Sequence, residues 1–228
     1  MTKGNDLGDA YATTLVRMMT QDDDRSRLGM EALMWVTNSE RPLHTSGLCH
    51  ALGVKIGSAD PDLENIPGIG TILRCSLGLI TESSSTVRFV HFTLREYLSN
   101  NPTLFQSPHS MIAEACLSCL NFQCVRQLSP TDISVPFTFP LLRYASCYWG
   151  KHIRREKTEG LTLLALSLLV GFEEHISSQL LMLYCHKNVP GWELGLYRES
   201  ALRGFTGLHG AAFLGIPEVL VALLAIKE

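Results

Sequence analysis

The chain has 228 residues and a formal net charge of −3. That length holds one large domain or two small ones, and the slight acidity excludes a global attraction to nucleic acid or anionic membrane. Seven scattered cysteines, an odd number behind an N-terminus that does not read as a secretory leader, predict reduced, mostly buried thiols and a cytoplasmic setting.

Residues 1–10 are polar and Gly-containing and read as a frayed or linker-like lead-in. Residues 11–19 predict a short helix with Leu15, Met18 and Met19 on its apolar side. Asp22, Asp23 and Asp24 then read as a solvated cap for the next helix, because anions favour helix N-termini. That helix covers 28–37, with Leu28, Ala32, Leu33, Trp35 and Val36 forming a broad apolar face. Pro42 breaks it by disfavouring helical backbone at Arg41. Thr45 or Ser46 caps a second helix through Leu52, and 53–63 carries loop chemistry. A third helix runs over 71–77, with Ile72, Leu73 and Cys75 inward and Gly78 as its stop.

Residues 79–81 and 87–92 read as two strands of a hairpin, joined by the polar connector 82–86. Along the second strand, Val87, Phe89 and His91 alternate with Arg88, Val90 and Phe92. The period then changes. Thr93 can cap a helix with Glu96 three residues on, and Leu94, Tyr97 and Leu98 share one face. His91 falls just before this strand-to-helix junction. Three short helices, a hairpin and a closing helix make a winged-helix arrangement over 26–100.

The remainder predicts helices. Residues 110–120 place Ile112, Ala113, Cys116, Leu117 and Leu120 at helical spacing. Three prolines make 128–140 irregular. In 141–155, Leu142, Ala145, Tyr148, Trp149 and His152 line one side, and Lys151, Arg154 and Arg155 form a cationic end that complements the helix dipole. Two more helices follow at 161–170 and 174–184. The apolar run 161–172 is too short for a bilayer, which needs about 20 residues, and reads as a buried core helix. In the last segment Thr206 starts a helix that Gly215 ends. Pro217 opens another, with Val219, Leu220, Leu223 and Leu224 on its buried side.

That last segment looks like the start of an ankyrin repeat. The T-P-L-H-x-A-A pattern is met by Thr206, Leu208, His209, Ala211 and Ala212, with Gly207 where proline is usual. The chain from Leu28 onward resembles the fungal NACHT–ankyrin proteins, signal-transducing ATPases of the NOD-like receptor type. The resemblance rests on A-L-M-W-V-T-N-S-E-R-P-L (32–43), F-V-H-F-T-L-R-E-Y-L (89–98), A-E-A-C-L-S-C-L (113–120) and P-L-L-R-Y-A-S-C-Y-W-G-K-H (140–152). It implies a division into 1–25 from the end of a NACHT region, a winged helix at 26–100, an all-α domain at 101–202 and one incomplete ankyrin repeat at 203–228. The expected fold class is therefore mainly α.

The resemblance also implies function. In that family the histidine at the end of the winged-helix strand, here His91, reaches the β-phosphate of ADP bound in the NACHT core. The ankyrin segment binds proteins. This sequence has no G-x-x-x-x-G-K-[ST] phosphate loop. Gly150-Lys151 comes nearest, but His152 stands where the hydroxyl should be and Ala145 where the first glycine should be. The expectation is a C-terminal piece of such a switch. It is not an enzyme, holds no cofactor of its own, and leaves ATP or ADP to the absent core. Its partners are the NACHT core and proteins, with neither nucleic acid nor membrane among them.

Other candidates carry less. Cys116-x-x-Cys119 lies within an apolar helix and suits packing better than metal. No G-x-S-x-G elbow and no H-E-x-x-H pair occurs. A winged helix could instead read DNA, yet the third helix offers only Arg74 and the wing offers Glu82 and serines, short of a basic footprint. A single ankyrin unit cannot cover its own stacking face, so Leu220, Leu223 and Leu224 are expected to be poorly covered.

Overall fold

The computed structural model describes residues 3–129, 139–188 and 204–226. They are mainly helical with one small antiparallel sheet. They divide into two compact units, Met1–Gly53 with Leu63–Pro108, and Val54–Asp62 with His109–Glu228.

The first unit begins with α1 (Lys3–Met19) and α2 (Asp23–Asn38). The predicted lead-in is thus helical. Tyr11, Leu15 and Met18, four and three residues apart, form its buried stripe, whereas Met19 is exposed. The first helix therefore packs within the first unit, against α2. Asp22 caps α2, its carboxylate accepting from the Arg25 N–H at 3.1 Å. Helices α3 (Thr45–Leu52) and α4 (Ile69–Cys75) pack on α2. Gly29 lets α2 approach α4 closely: a Cβ there would lie 2.6 Å from the Cys75 carbonyl oxygen.

Strands β1 (Ile80–Ser83) and β2 (Thr86–Phe89) form the wing, with Ile80 opposite Phe89 and Ser83 opposite Thr86. The connector is shorter than 82–86. Ser84 and Ser85, at φ 49° and 57°, make a two-residue turn, and both strands extend into the polar stretch. Beyond β2, Leu43 C=O accepts from Val87 N–H at 3.0 Å and Ser85 C=O accepts from Thr45 N–H at 2.9 Å. The segment before α3 thus lies along the outer edge of β2. Helix α5 (Phe92–Ser99) closes the unit, burying Leu94 and Leu98.

The second unit holds α6 (Pro108–Asn121), α7 (Gln123–Arg126), α8 (Leu142–Arg155), α9 (Glu159–Leu169) and α10 (Ile176–Asn188). The helix pair α11 (Gly207–Leu214) and α12 (Pro217–Ile226) completes it. The predicted apolar faces of α6 and α8 are buried, and Trp149 is fully enclosed. Helix α9 buries Leu161, Ala165, Leu168 and Leu169 but exposes Leu163, so one face of the apolar run is covered rather than all of it. The expected irregular stretch 128–140 falls mostly outside the described residues.

The α11–α12 pair docks on α9 through glycines. A Cβ on Gly207 would strike the Leu169 carbonyl, and one on Gly210 would lie 3.0 Å from the Phe172 ring. Gly150 on α8 similarly makes room for Leu214, whose Cδ2 would lie 2.8 Å from a Cβ there. In α12, Val219 and Leu223 are buried and Leu220 is half-buried, but Leu224 is 51 % exposed, so the predicted inward face is narrower than four residues. No helix among the described residues is long and apolar enough to cross a membrane.

Candidate functional site at the wing-to-helix junction

His91 follows β2 by two residues and is the N-cap of α5, in place of the predicted Thr93. Its backbone is extended (φ −145°, ψ 145°), and its ring Nδ1 accepts from the Thr93 N–H at 3.3 Å. Thr93 Oγ1 is 2.7 Å from the same nitrogen and 2.8 Å from the Tyr11 hydroxyl. With Nδ1 accepting, the neutral ring carries its proton on Nε2. Thr93 then donates its hydroxyl proton to Nδ1, and Tyr11 donates to Thr93. This chain runs from α1 to the wing and fixes an exposed imidazole. Phe92 lies beside it, with ring centroids 4.5 Å apart and 75 % of Phe92 exposed. The junction can therefore present one N–H donor and an apolar rim to whatever approaches.

The same local device recurs. His175 precedes α10, and its Nδ1 accepts from the Ser177 N–H at 3.1 Å, with Ser177 Oγ at 2.7 Å. Its Nε2 donates to the Leu120 carbonyl at 3.0 Å, and burial pushes its pKa down to about 4. His44, the N-cap of α3, holds Ser46 Oγ at 2.7 Å, so neither Thr45 nor Ser46 is the cap. At His91 and His175 the pattern H-x-[ST] thus places a capping ring where a hydroxyl or carboxylate was expected, whereas the His44 ring bonds Ser46 without capping the α3 backbone. His175 is buried and bonded through both nitrogens, whereas His91 keeps Nε2 at the surface.

The other predicted positions fall as follows. Thr206 is the N-cap of α11 and forms a capping box with His209, whose Nδ1 lies 2.8 Å from Thr206 Oγ1 and accepts from the Thr206 N–H at 3.3 Å. Gly215 ends α11 in the left-handed region at φ 66°. Ala211 is fully buried, Leu208 is half-buried, and Ala212 is exposed. Cys116 and Cys119 are buried free thiols. Burial raises the first well above its ordinary value and the second to about 12. Among the described residues, no group of three potential metal ligands comes together. Gly150-Lys151-His152 lies within α8, where His152 is buried. Its Nε2 lies 2.9 Å from the Tyr144 hydroxyl and its Nδ1 2.9 Å from His109 Nδ1.

Helices α2, α3 and α4, a two-stranded wing and the closing helix α5 are the parts of a winged helix domain. Comparison with known families agrees: residues 16–111 match the family described as "GPI inositol-deacylase, winged helix domain". No curated protein and no solved structure matches the chain. The chain thus contains a winged helix domain, and the matched segment takes in the end of α1 as well as the predicted 26–100.

Proposed function

We propose that the chain is a non-catalytic regulatory and protein-interaction module, the winged-helix part of a nucleotide-dependent switch. In this reading the winged helix senses the nucleotide held by a neighbouring NACHT core. Residues 204–226 begin an ankyrin array that binds proteins. The carrying observation is the His91 junction: Thr93 and Tyr11 orient the ring, and Nε2–H stands at an open surface. One donor of this kind suits a phosphate oxygen. A contact made in only one conformation biases a switch by its differential affinity.

The deacylase in the matched family's description is not carried over, because the sequence offers no G-x-S-x-G elbow. DNA reading has less support, since Arg74 on α4 is turned onto Thr71 at 3.1 Å and the wing tip is Ser84-Ser85.

The test places a NACHT core from a NACHT–ankyrin protein ahead of the chain and follows release of labelled ADP. His91→Ala is expected to speed release, and His91→Gln, which keeps an N–H donor, to recover part of the retention. Release unchanged by His91→Ala would overturn the proposal. The chain alone is expected to show background ATP hydrolysis.

A further inference from the structure

A second concave site lies in the first unit, at the outer edge of β2. The cleft has a volume of about 480 Å3, within the ~300–1,000 Å3 range of ligand pockets. Its rim carries Arg41 from the segment before α3, Arg88 from β2 and Arg95 from α5. Glu40 is the only acid among the lining residues, in a chain that is acidic overall. Among the described residues, no carboxylate forms an ion pair with Arg88 or Arg95. Val36, Leu43, Val87 and Phe89 supply an apolar floor.

The backbone explains why the cleft opens there. Val90 N–H donates to Leu79 C=O, so the wing pairs through Leu79/Val90 and, two residues on, Thr81/Arg88. Val87 and Phe89 therefore turn their N–H and C=O groups away from β1. Leu43 takes the Val87 N–H. The next position along that segment is Pro42, followed outward by Arg41, and the pairing stops. Among the described residues no backbone group accepts from Phe89 N–H. Both faces of the strand contribute lining residues because the opening lies along its edge.

We propose that this cleft docks an extended acidic peptide segment of a partner protein. The peptide continues the pairing at the Phe89 edge and sets an apolar side chain on the floor. Its carboxylates meet Arg88 and Arg95. Edge pairing supplies backbone affinity, and alternate side chains supply specificity. Guanidiniums on the rim select carboxylates through charge-assisted bonds. The inference extends the interaction-module reading but uses neither His91 nor residues 204–226.

The test uses the whole chain and fluorescence anisotropy. The probe is a labelled seven-residue peptide alternating glutamate and valine. Binding in the micromolar range is expected, weakening as salt is raised. Arg88→Ala with Arg95→Ala should weaken it tenfold or more, and so should N-methylation of the peptide's valine amides. A lysine–valine counterpart should not bind, and Arg74→Ala should leave affinity unchanged. The assay involves neither nucleotide nor a NACHT core, so failure here is separable from failure of the nucleotide reading. Both rim arginines are exposed, so the double variant should melt with the wild type. If it does not, the single Arg95→Gln variant carries the comparison, with a severalfold loss expected. The proposal is overturned by no binding, or by binding indifferent to the arginines or to N-methylation. Equal capture of a short duplex oligonucleotide, lost in the same variants, would overturn it in favour of a nucleic-acid site.

Discussion

Gly207→Ala is the sharpest perturbation of the second unit. Gly207 starts α11 with its backbone against Leu169, and a methyl built there strikes the carbonyl oxygen and lies 2.8 Å from the carbonyl carbon. Ordinary carbon–carbon contacts fall at about 3.5–4.0 Å. Helix α11 must therefore retreat from α9 by about 0.7 Å or more, measured at the carbon alone. Overpacking of this kind costs about 1–3 kcal/mol, and the entropic gain of replacing a glycine returns only about 0.4–1 kcal/mol. A net loss of about 1–2 kcal/mol is expected, read as a lower midpoint in urea with an unchanged slope. Gly160→Ala is the control. A Cβ there meets nothing within 4 Å, so the same substitution in α9 should be neutral or slightly stabilising. If strain instead releases the helix pair, hydrogen exchange will speed up in 206–226 alone. A Gly207→Ala variant with wild-type midpoint and wild-type protection would refute the packing argument.

Acid should destabilise the chain in a defined window. Burial, then the charges of His109, Arg155 and Lys151, hold His152 at about 3, and burial holds His175 at about 4. Unfolded histidines protonate near 6.5, so the unfolded state binds more protons from pH 6.5 down to about 4. Each residue then removes up to about 1.4 kcal/mol per pH unit as pH falls; urea midpoints that stay flat from pH 7 to 5 would contradict this. His175→Ala strips α10 of its cap and leaves the Leu120 carbonyl unpaired, for about 1–3 kcal/mol. His91→Ala loses a surface cap only and should cost less, as paired thermal melts will show. In native protein at pH 8, Cys116 and Cys119 should resist alkylation until denaturant is added, because burial suppresses their thiolates. Labelling at the rate of a free thiol would contradict that.

Much of this architecture can be read in the residues. The apolar faces of α2, α6 and α8 follow helical spacing, and the hairpin shows as alternation around Val87. What escaped depends on tertiary context. Residues 3–10 look like a lead-in because glycines and polar groups dominate. Their helix persists because Tyr11, Leu15 and Met18 anchor the turns that follow. The length of the wing turn is set by the pairing of Ile80 with Phe89, which alternation does not specify. The histidine caps were hidden because cap preferences favour Ser, Thr, Asn and Asp. A visible signal exists in the H-x-[ST] sequences at His91 and His175, though the same sequence at His44 gives no ring cap. The close approach at Gly207 explains a glycine where the resembled repeat prefers proline, and no local rule reveals it. The arginine cleft joins the segment around Arg41 to Arg88 and Arg95, which lie on consecutive elements far along the chain from it.

The serine turn of the wing also bears on the order of assembly. Two non-glycine residues held at positive φ disfavour the hairpin's own closure. A ribbon with such a tip is a poor nucleus for folding. Its clasp comes from outside, through the bonds that Leu43 and Thr45 make to Val87 and Ser85. The wing should therefore zip up late, after the stretch leading into α3 has docked, and an Asn-Gly tip should let it form early.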